Sequence, residues 1–213
     1  MTRILIFANG KLPDLESARA LIHADDLIIA ADGGTRHIVE LGFIPHFIVG
    51  DLDSSPLDIH DPILKDTQII LFPRDKNETD LELAIDHALT LNPVQIVIVA
   101  ALGHRLDQTL GNISLLTDVR LSAYDVRLDD GVEEAFFCSD QAQVQGRCGD
   151  VLSLLPWQGQ VTGILTKGLK WPLQNETLYP YNTRGISNEM LAEEATIQIR
   201  SGLLLIVHRR ATQ

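Results

Sequence analysis

Four aspartates, Asp51, Asp53, Asp80 and Asp107, stand near glycine turns and basic side chains, a combination suited to phosphate chemistry assisted by a divalent metal. Mg²⁺ is a hard cation that takes oxygen ligands, usually one or two carboxylates completed by substrate phosphates and water. Asp51 and Asp53 are two residues apart in the segment Gly50-Asp51-Leu52-Asp53-Ser54. If that segment is extended, both carboxylates lie on one side of it and could face one ion. Asp51, Asp53 and Asp80 are the candidate metal ligands. Clustered acids without a cation would repel one another and bind protons more tightly, a cost that a bound ion removes. Gly10 and the pair Gly33-Gly34 permit close backbone approach to a phosphate. Lys76 and Arg105 are the cations suited to its oxygens. The chain has no G-x-x-x-x-G-K-[ST], and no G-x-G-x-x-G follows its first apolar run, so neither a P-loop nor a dinucleotide fingerprint is present.

Any single one of these residues has an ordinary explanation. An aspartate after a strand commonly forms a turn or caps a helix, and Gly33-Gly34 alone is a weak signal. His104 reads as a solvated loop histidine, and Trp157 as core. The argument rests on the whole set falling on one edge of a sheet, which requires the elements to be placed.

Short Ile- and Val-rich runs at Ile4–Ala8, Leu27–Ala31, Phe47–Val49, Gln68–Phe72 and Val94–Ala101 read as strands covered on both faces. After Thr79, Leu81, Ala84, Ile85, Ala88 and Leu89 recur at helical spacing, and Thr79 with Glu82 forms a capping box that fixes the helix start. A second helix is predicted from about Gln108 to Val119. This alternation implies an α/β class with a doubly wound, mainly parallel sheet, whose ligands bind beyond the C-terminal strand ends. Those ends carry Asn9-Gly10, Asp32-Gly33-Gly34, Gly50 to Ser54, Arg74-Asp75-Lys76 with Thr79-Asp80, and Gly103 to Asp107.

Near residue 130 the pattern changes. Strand-like pieces at Glu134–Cys138, Val151–Leu155, Val161–Leu165, Ala195–Arg200 and Leu203–His208 are separated by turn signals at Pro156, Gly159, Gly163, Gly168, Pro172 and Ser201-Gly202. The last pair reads as a hairpin turn. Residues 1–132 are therefore expected to form the α/β domain and 133–213 a small all-β sandwich. So small a domain has little core of its own and is expected to lean on a neighbour.

The formal net charge of −12 argues against nucleic acid as a partner, which needs a basic stripe. Cys138 and Cys148 lack metal-ligand spacing and suggest a reducing, cytoplasmic setting. The first apolar run is too short for a signal peptide, and no stretch approaches the ~20 apolar residues of a membrane span.

The stretches ADGGTRHIVELGFIPHFIVGDLDS, FPRDKNETDLELAI, GHRLDQTLGNISLL, GLKWPL and TRGISNE, running from residue 31 to 189, resemble the thiamine pyrophosphokinase (thiamine diphosphokinase) family. GD-x-DS, DK-x-x-TD and RLD are specific together, though not singly. The resemblance implies an N-terminal α/β domain, a C-terminal β-sandwich and a homodimer with sites at the subunit interface. It implies transfer of the β,γ-diphosphate of ATP to the thiamine hydroxyl, with AMP released. By position, Asp51, Asp53, Asp80 and Asp107 would bind or orient Mg²⁺ and the reacting groups, with Arg105 among the catalytic residues. Asn9, Gly10, Asp32, Gly33, Gly34, Asp75, Lys76, Thr79 and Arg105 would serve ATP. Trp171, Ser187 and Asn188 would hold thiamine, with Asp80 and Asp107 near its hydroxyl. The family often shows GG-x-x-DH where this chain has Gly103-His104 and Asp107-Gln108, so a histidine base is excluded at position 108. Phe or Tyr is common in the family where Leu52 and Trp171 stand.

Two other enzyme readings fit part of the pattern. Asp51-x-Asp53 after a strand also resembles the nucleophile motif of Asp-based phosphohydrolases, which gives no reason for ADGG or RLD. Diphosphate transfer to another hydroxymethyl heterocycle, such as a pterin, would use the same acids. A nucleotide sensor would need fewer of them.

Overall fold

Uninterrupted apolar runs become the inner strands of a parallel sheet in the computed structural model, which describes residues 2–53, 61–103 and 105–211. The chain divides into two compact units, Met1–Gly131 and Val132–Gln213.

In the first unit, β1 (Thr2–Phe7), β2 (Leu27–Ala31), β3 (Phe47–Gly50), β4 (Gln68–Leu71), β5 (Pro93–Val99) and β6 (Asp125–Asp129) lie in the order β4-β3-β2-β1-β5-β6. Every neighbouring pair is parallel. The order reverses beside β1, which makes the β1/β5 boundary the topological switch point. Ile4, Leu5, Ile6 and Phe7 of β1 are fully buried, as expected for a central strand covered on both faces. Helix α3 (Asp80–Thr90) starts at the predicted cap: Thr79 Oγ1 accepts from Glu82 N at 3.2 Å. It buries Leu81, Leu83, Ala84, Ile85 and Ala88. Helix α4 covers Leu106–Leu115, so it starts before and ends before the predicted span of 108–119. A separate 3₁₀ turn, capped by Asp118, follows at Val119–Leu121.

Two short helices, α1 (Leu15–Ala20) and α2 (Thr35–Glu40), and strand β6 were not signalled by periodicity. Six residues give less than two helical turns, too few for an apolar stripe to stand out. At the N-terminal strand ends, away from the predicted site, Arg3 ties the sheet together. Its guanidinium donates to Asp26 Oδ2 at 2.7 Å and to Gln95 Oε1 at 2.8 Å, and Gln95 Nε2 donates to Asp125 Oδ2 at 2.6 Å.

The second unit contains β7 (Glu133–Cys138), β8 (Gln141–Gln145), β9 (Val151–Lys167), β10 (Gln174–Leu178), β11 (Asn188–Glu189), β12 (Glu194–Gln198) and β13 (Ser201–Arg209). Two predicted strands, Val151–Leu155 and Val161–Leu165, are one 17-residue strand. Its first half pairs with β11 and β13, and its second half with β10 and β12. Pro156, Gly159 and Gly163 do not end it. The pairing with β13 shifts register between Ser201 and Leu203, which face Thr162 and Trp157, so the extra residues form a bulge. Gln158 has φ +61° within it.

The predicted hairpin at Ser201-Gly202 is also corrected. β12 pairs with β8 and β9 while β13 pairs with β7 and β9, so the two strands are not partners. Both register shifts and strand sharing depend on distant partners, which local turn signals do not encode. Leu152, Leu154, Val161, Ile164, Ile197, Leu204 and Ile206 belong to a common apolar core. Trp157, expected in the core, is only partly buried and sets its ring edge-on to Phe137 at 5.6 Å.

Beside that core lies a buried ionic group. His208 is fully buried; its Nδ1 is 2.9 Å from Glu134 Oε1 and its Nε2 is 2.8 Å from Asp150 Oδ2. Carboxylates only accept, so both ring nitrogens donate and the ring is an imidazolium. Burial works against that charge, but the bonds to Glu134 and Asp150 more than offset it and raise the His208 pKa.

Candidate active site

The C-terminal ends of β1, β2, β3 and β5 surround a cleft of ≈ 690 Å³ in the first unit. The backbone there is unusual. Asp32, Leu52 and Ala100, each just past the end of β2, β3 or β5, have φ of +42°, +63° and +56°. Left-handed conformations at non-glycine residues cost of order 1–3 kcal/mol each and gather where function requires them. Asp32 itself, Asp53 after Leu52 and Ala101 after Ala100 line the cleft.

Asp32, Asp51 and Asp80 converge: one carboxylate oxygen of each lies within 4.8 Å of the others. They come from the end of β2, the end of β3 and the first residue of α3. Gly50 makes this approach possible. It has φ +149°, and a Cβ there would stand 3.0 Å from both Asp32 Cβ and Asp80 Oδ1. Lys76 Nζ lies 2.8 Å from Asp80 Oδ1 and 3.8 Å from Asp51 Oδ2. Burial disfavours its charge, but the hydrogen bond to Asp80 and the fields of Asp80, Asp51 and Asp32 outweigh that and raise its pKa. Three close carboxylates offer hard oxygen donors of the kind that Mg²⁺ takes, more than the one or two it usually uses, with room in the cleft for phosphate and water. The donor set therefore fits the metal.

Asp53 is placed differently from the extended arrangement with Asp51. Leu52 turns through positive φ, and Asp53 N donates to Asp51 Oδ1 at 3.1 Å, so the pair forms a tight turn rather than a straight segment. Asp53 still lines the cleft, with its Oδ2 3.2 Å from Arg74 Nη2. Among the described residues, Asp32 rather than Asp53 completes the close acid group.

Asn9, Gly10, Thr79 and Arg105 also line the cleft. Gly10 sits where β1 and β5 run closest beyond their ends: its N–H donates to Ala100 O at 2.9 Å, and a Cβ would collide with that carbonyl. Gly33 and Gly34 are buried behind Asp32 in a 3₁₀ turn that leads into α2. Asp75 is exposed and is not among the lining residues. Asp107 is likewise outside the lining. Its carboxylate is gripped by Arg105, through Nε at 3.1 Å and Nη2 at 2.5 Å. That pairing, with a backbone bond from Gln108, lowers its pKa. His104 and Ser54 lie outside the described residues.

In the second unit, Asn188 and Trp171 are brought together. Asn188 Oδ1 accepts from Trp171 N at 3.1 Å and from Glu189 N at 2.9 Å, while its Nδ2 donates to Trp171 O at 2.7 Å. The Trp171 ring is half exposed, with Lys170 Nζ 5.0 Å from its centroid. Ser187, at φ +60°, donates its N–H to Ser153 Oγ at 3.0 Å.

Sequence reasoning passed over Arg36, Glu78 and Asn112, and placed Arg74 at a strand end without a role; all four line the cleft. Asn112 could not be found from spacing alone: it reaches Ala101 O at 2.8 Å from the middle of α4. Arg36 carried a usable signal, since it follows the Asp32-Gly33-Gly34 turn by two residues.

Comparison with known proteins agrees with both units. Residues 18–128 match the family described as Thiamin pyrophosphokinase, catalytic domain, and residues 140–204 match Thiamin pyrophosphokinase, vitamin B1 binding domain. The chain is 29% identical over 215 residues to the thiamine pyrophosphokinase of Bacillus subtilis (strain 168), an alignment covering 97% of this chain and 98% of that protein. It resembles the crystal structure of thiamine pyrophosphokinase from Bacillus subtilis with a TM-score of 0.87 and 26% identity, over 99% of this chain and 100% of the other. For thiamin pyrophosphokinase from Geobacillus thermodenitrificans the TM-score is 0.81 at 25% identity, over 100% of this chain and 99% of the other. With a catalytic-domain match over half its length and a vitamin-binding match over most of the remainder, the chain belongs to the thiamin pyrophosphokinase family.

Proposed function

We propose that this chain transfers the β,γ-diphosphate of ATP to the hydroxyl of thiamine, giving thiamine diphosphate and AMP. The observation that carries the reading is the convergence of Asp32, Asp51 and Asp80 in the cleft beyond the C-terminal strand ends, in a chain whose two units match the catalytic and vitamin-binding parts of one family.

Asp32, Asp51 and Asp80 would hold Mg²⁺, which when bound neutralises polyphosphate charge and draws electron density from the β-phosphorus. The thiamine oxygen forms a bond to that phosphorus, and the bond from it to the α,β-bridging oxygen breaks, leaving that oxygen on AMP. Catalysis of this kind is mostly positioning and charge stabilisation. Lys76, fixed between Asp51 and Asp80, supplies a localised positive charge at the acids. Thr79 sets the start of α3 and so the direction of Asp80. Asp80, which lines the cleft, is placed to receive the hydroxyl proton; Asp107 lies outside the lining and is held by Arg105. Arg105 and the backbone of Asn9 and Gly10 serve the nucleotide. Trp171 offers an aromatic face to the thiamine cation, Ser187 adds a polar contact, and Asn188 holds the tryptophan in place.

The protein acts as a homodimer in this reading. Cys138 and Cys148 are free thiols, which supports a reducing cytoplasmic setting. Among the described residues no helix is long and apolar enough to cross a membrane. Incubation with ATP, Mg²⁺ and thiamine, followed by mass spectrometry, tests the activity. AMP and thiamine diphosphate are the expected products. Turnover with a hydroxymethyl pterin but not with thiamine would overturn the substrate assignment.

A further inference from the structure

The cleft's cations differ in how much of their charge is already spent. Lys76 is paired with Asp51 and Asp80, Arg74 with Asp53, and Arg105 with Asp107. Arg36 also lines the cleft, but its guanidinium rests on neutral groups: Nη2 donates to Asn9 O at 3.2 Å and to Gly10 O at 3.1 Å. Among the described residues no carboxylate is paired with Arg36. Two backbone carbonyls therefore orient the side chain without neutralising it, and they do so at the β1 end beside the switch point.

His37 steadies the same turn. It is buried, and its Nε2 lies 2.8 Å from Gly10 O. A carbonyl only accepts, so Nε2 carries the proton, and the 3.4 Å approach of Arg36 Nε to the same nitrogen is a contact and not a hydrogen bond. Burial, assisted by the neighbouring Arg36 charge, lowers the pKa of this ring and keeps it neutral. The Asn9–Gly10 turn thus has a neutral donor beneath it and a cation over it.

The product that leaves needs such a cation. When the bond from the β-phosphorus to the bridging oxygen breaks, that oxygen stays on AMP and its phosphate gains negative charge. In the proposed reaction the acid group and Lys76 would serve the diphosphate that moves. We infer that Arg36 binds the α-phosphate of the nucleotide, the phosphate that remains on AMP. This rests on the diphosphotransfer reading and assigns one end of its nucleotide. A planar guanidinium with an orienting contact on one edge can still present its other N–H groups to phosphate oxygens.

The test compares the full-length wild-type protein with Arg36→Gln and Arg36→Lys, measuring displacement of a fluorescent ATP analogue by AMP and by adenosine. Arg36→Gln is expected to weaken AMP by about 10- to 100-fold, with adenosine unchanged and Arg36→Lys intermediate. Unchanged AMP affinity in Arg36→Gln would overturn the inference while leaving the parent reading intact. So would an equal fall for AMP and adenosine, which is the signature of a residue that merely shapes the Asn9–Gly10 turn. Absence of any displacement by AMP or ATP from the wild type would overturn the parent reading together with the inference.

Discussion

Asn188 brackets the backbone of Trp171, accepting from its N–H at 3.1 Å and donating to its carbonyl at 2.7 Å. The amide of Asn188 is thus largely spent on holding a half-exposed indole at a set angle. If that indole is the wall of the thiamine site, the two residues form one functional unit. Trp171→Ala is expected to weaken thiamine binding by about 0.5–2 kcal/mol, or roughly 2- to 30-fold, with ATP affinity unchanged. Asn188→Ala should weaken it in the same direction through loss of orientation. Calorimetric titration of both variants checks this; an unaltered thiamine affinity in Trp171→Ala removes the indole from the site.

Gly50 is the tightest constraint on the acid group. An added methyl would press on both Asp32 and Asp80, at a backbone conformation that side chains rarely adopt. Gly50→Ala is expected to leave the second unit folded and to cost about 100-fold in diphosphate transfer, the order expected when reacting groups are displaced by an ångström. The pair of assays is turnover under saturating ATP and thermal unfolding. Wild-type turnover would show that the acids need not approach so closely.

Asp51→Asn and Asp80→Asn test the metal-binding role directly. Each keeps the shape and removes a charge that Lys76 and a cation share. Folding is expected to persist in both, with transfer lost and the requirement for Mg²⁺ shifted to higher concentration. Near wild-type rates of AMP formation in both variants would contradict the ligand assignment.

The buried group Glu134–His208–Asp150 predicts a bounded pH range for stability. The His208 pKa is raised in the folded state, so its contribution is present below the unfolded histidine pKa and is lost as pH rises through the folded value. Asp150 has the opposite sense. Burial raises its pKa, but bonds from Ala211 N, His208 and Arg147 N outweigh that and lower it, so its contribution is lost as pH falls through the folded value. Arg210, 3.8 Å from Glu134, works against the imidazolium charge. Stability should therefore peak between the two titrations. His208→Gln should cost about 3–5 kcal/mol, as breaking a buried pair does, and should flatten the alkaline limb. Urea unfolding across pH reads both effects; an alkaline limb unchanged in the variant would exclude His208 as its source.

Much of the first unit could be read from local pattern. The Ile- and Val-rich runs gave β1, β2, β3 and β5 because a strand buried on both faces has no polar alternation to disguise it; β4, read the same way, is instead a partly exposed edge strand, and Thr79 marked α3 through its cap. The site was legible to the same depth: Asp51 and Asp80 were recognised as strand-end and helix-start acids. What brings Asp32 to them is the left-handed backbone at Asp32 and the bare Gly50, both tertiary features. The straight segment that would set Asp53 on the same side as Asp51 does not form, because Leu52 turns it, and Asp53 lines the cleft beside Arg74. In the second unit, β9 was read as two strands because proline and glycine mark turns when they stand alone, whereas here a bulge opposite β13 absorbs them. No local signal reports a strand's second partner.

The central claim is a transfer of two phosphates at once, from ATP to thiamine. A ³¹P NMR time course with the purified protein, ATP, Mg²⁺ and thiamine measures it most directly. The account predicts that AMP and thiamine diphosphate signals grow in equal amounts while orthophosphate stays at background. Growth of ADP with thiamine monophosphate, or of orthophosphate in place of thiamine diphosphate, would contradict it.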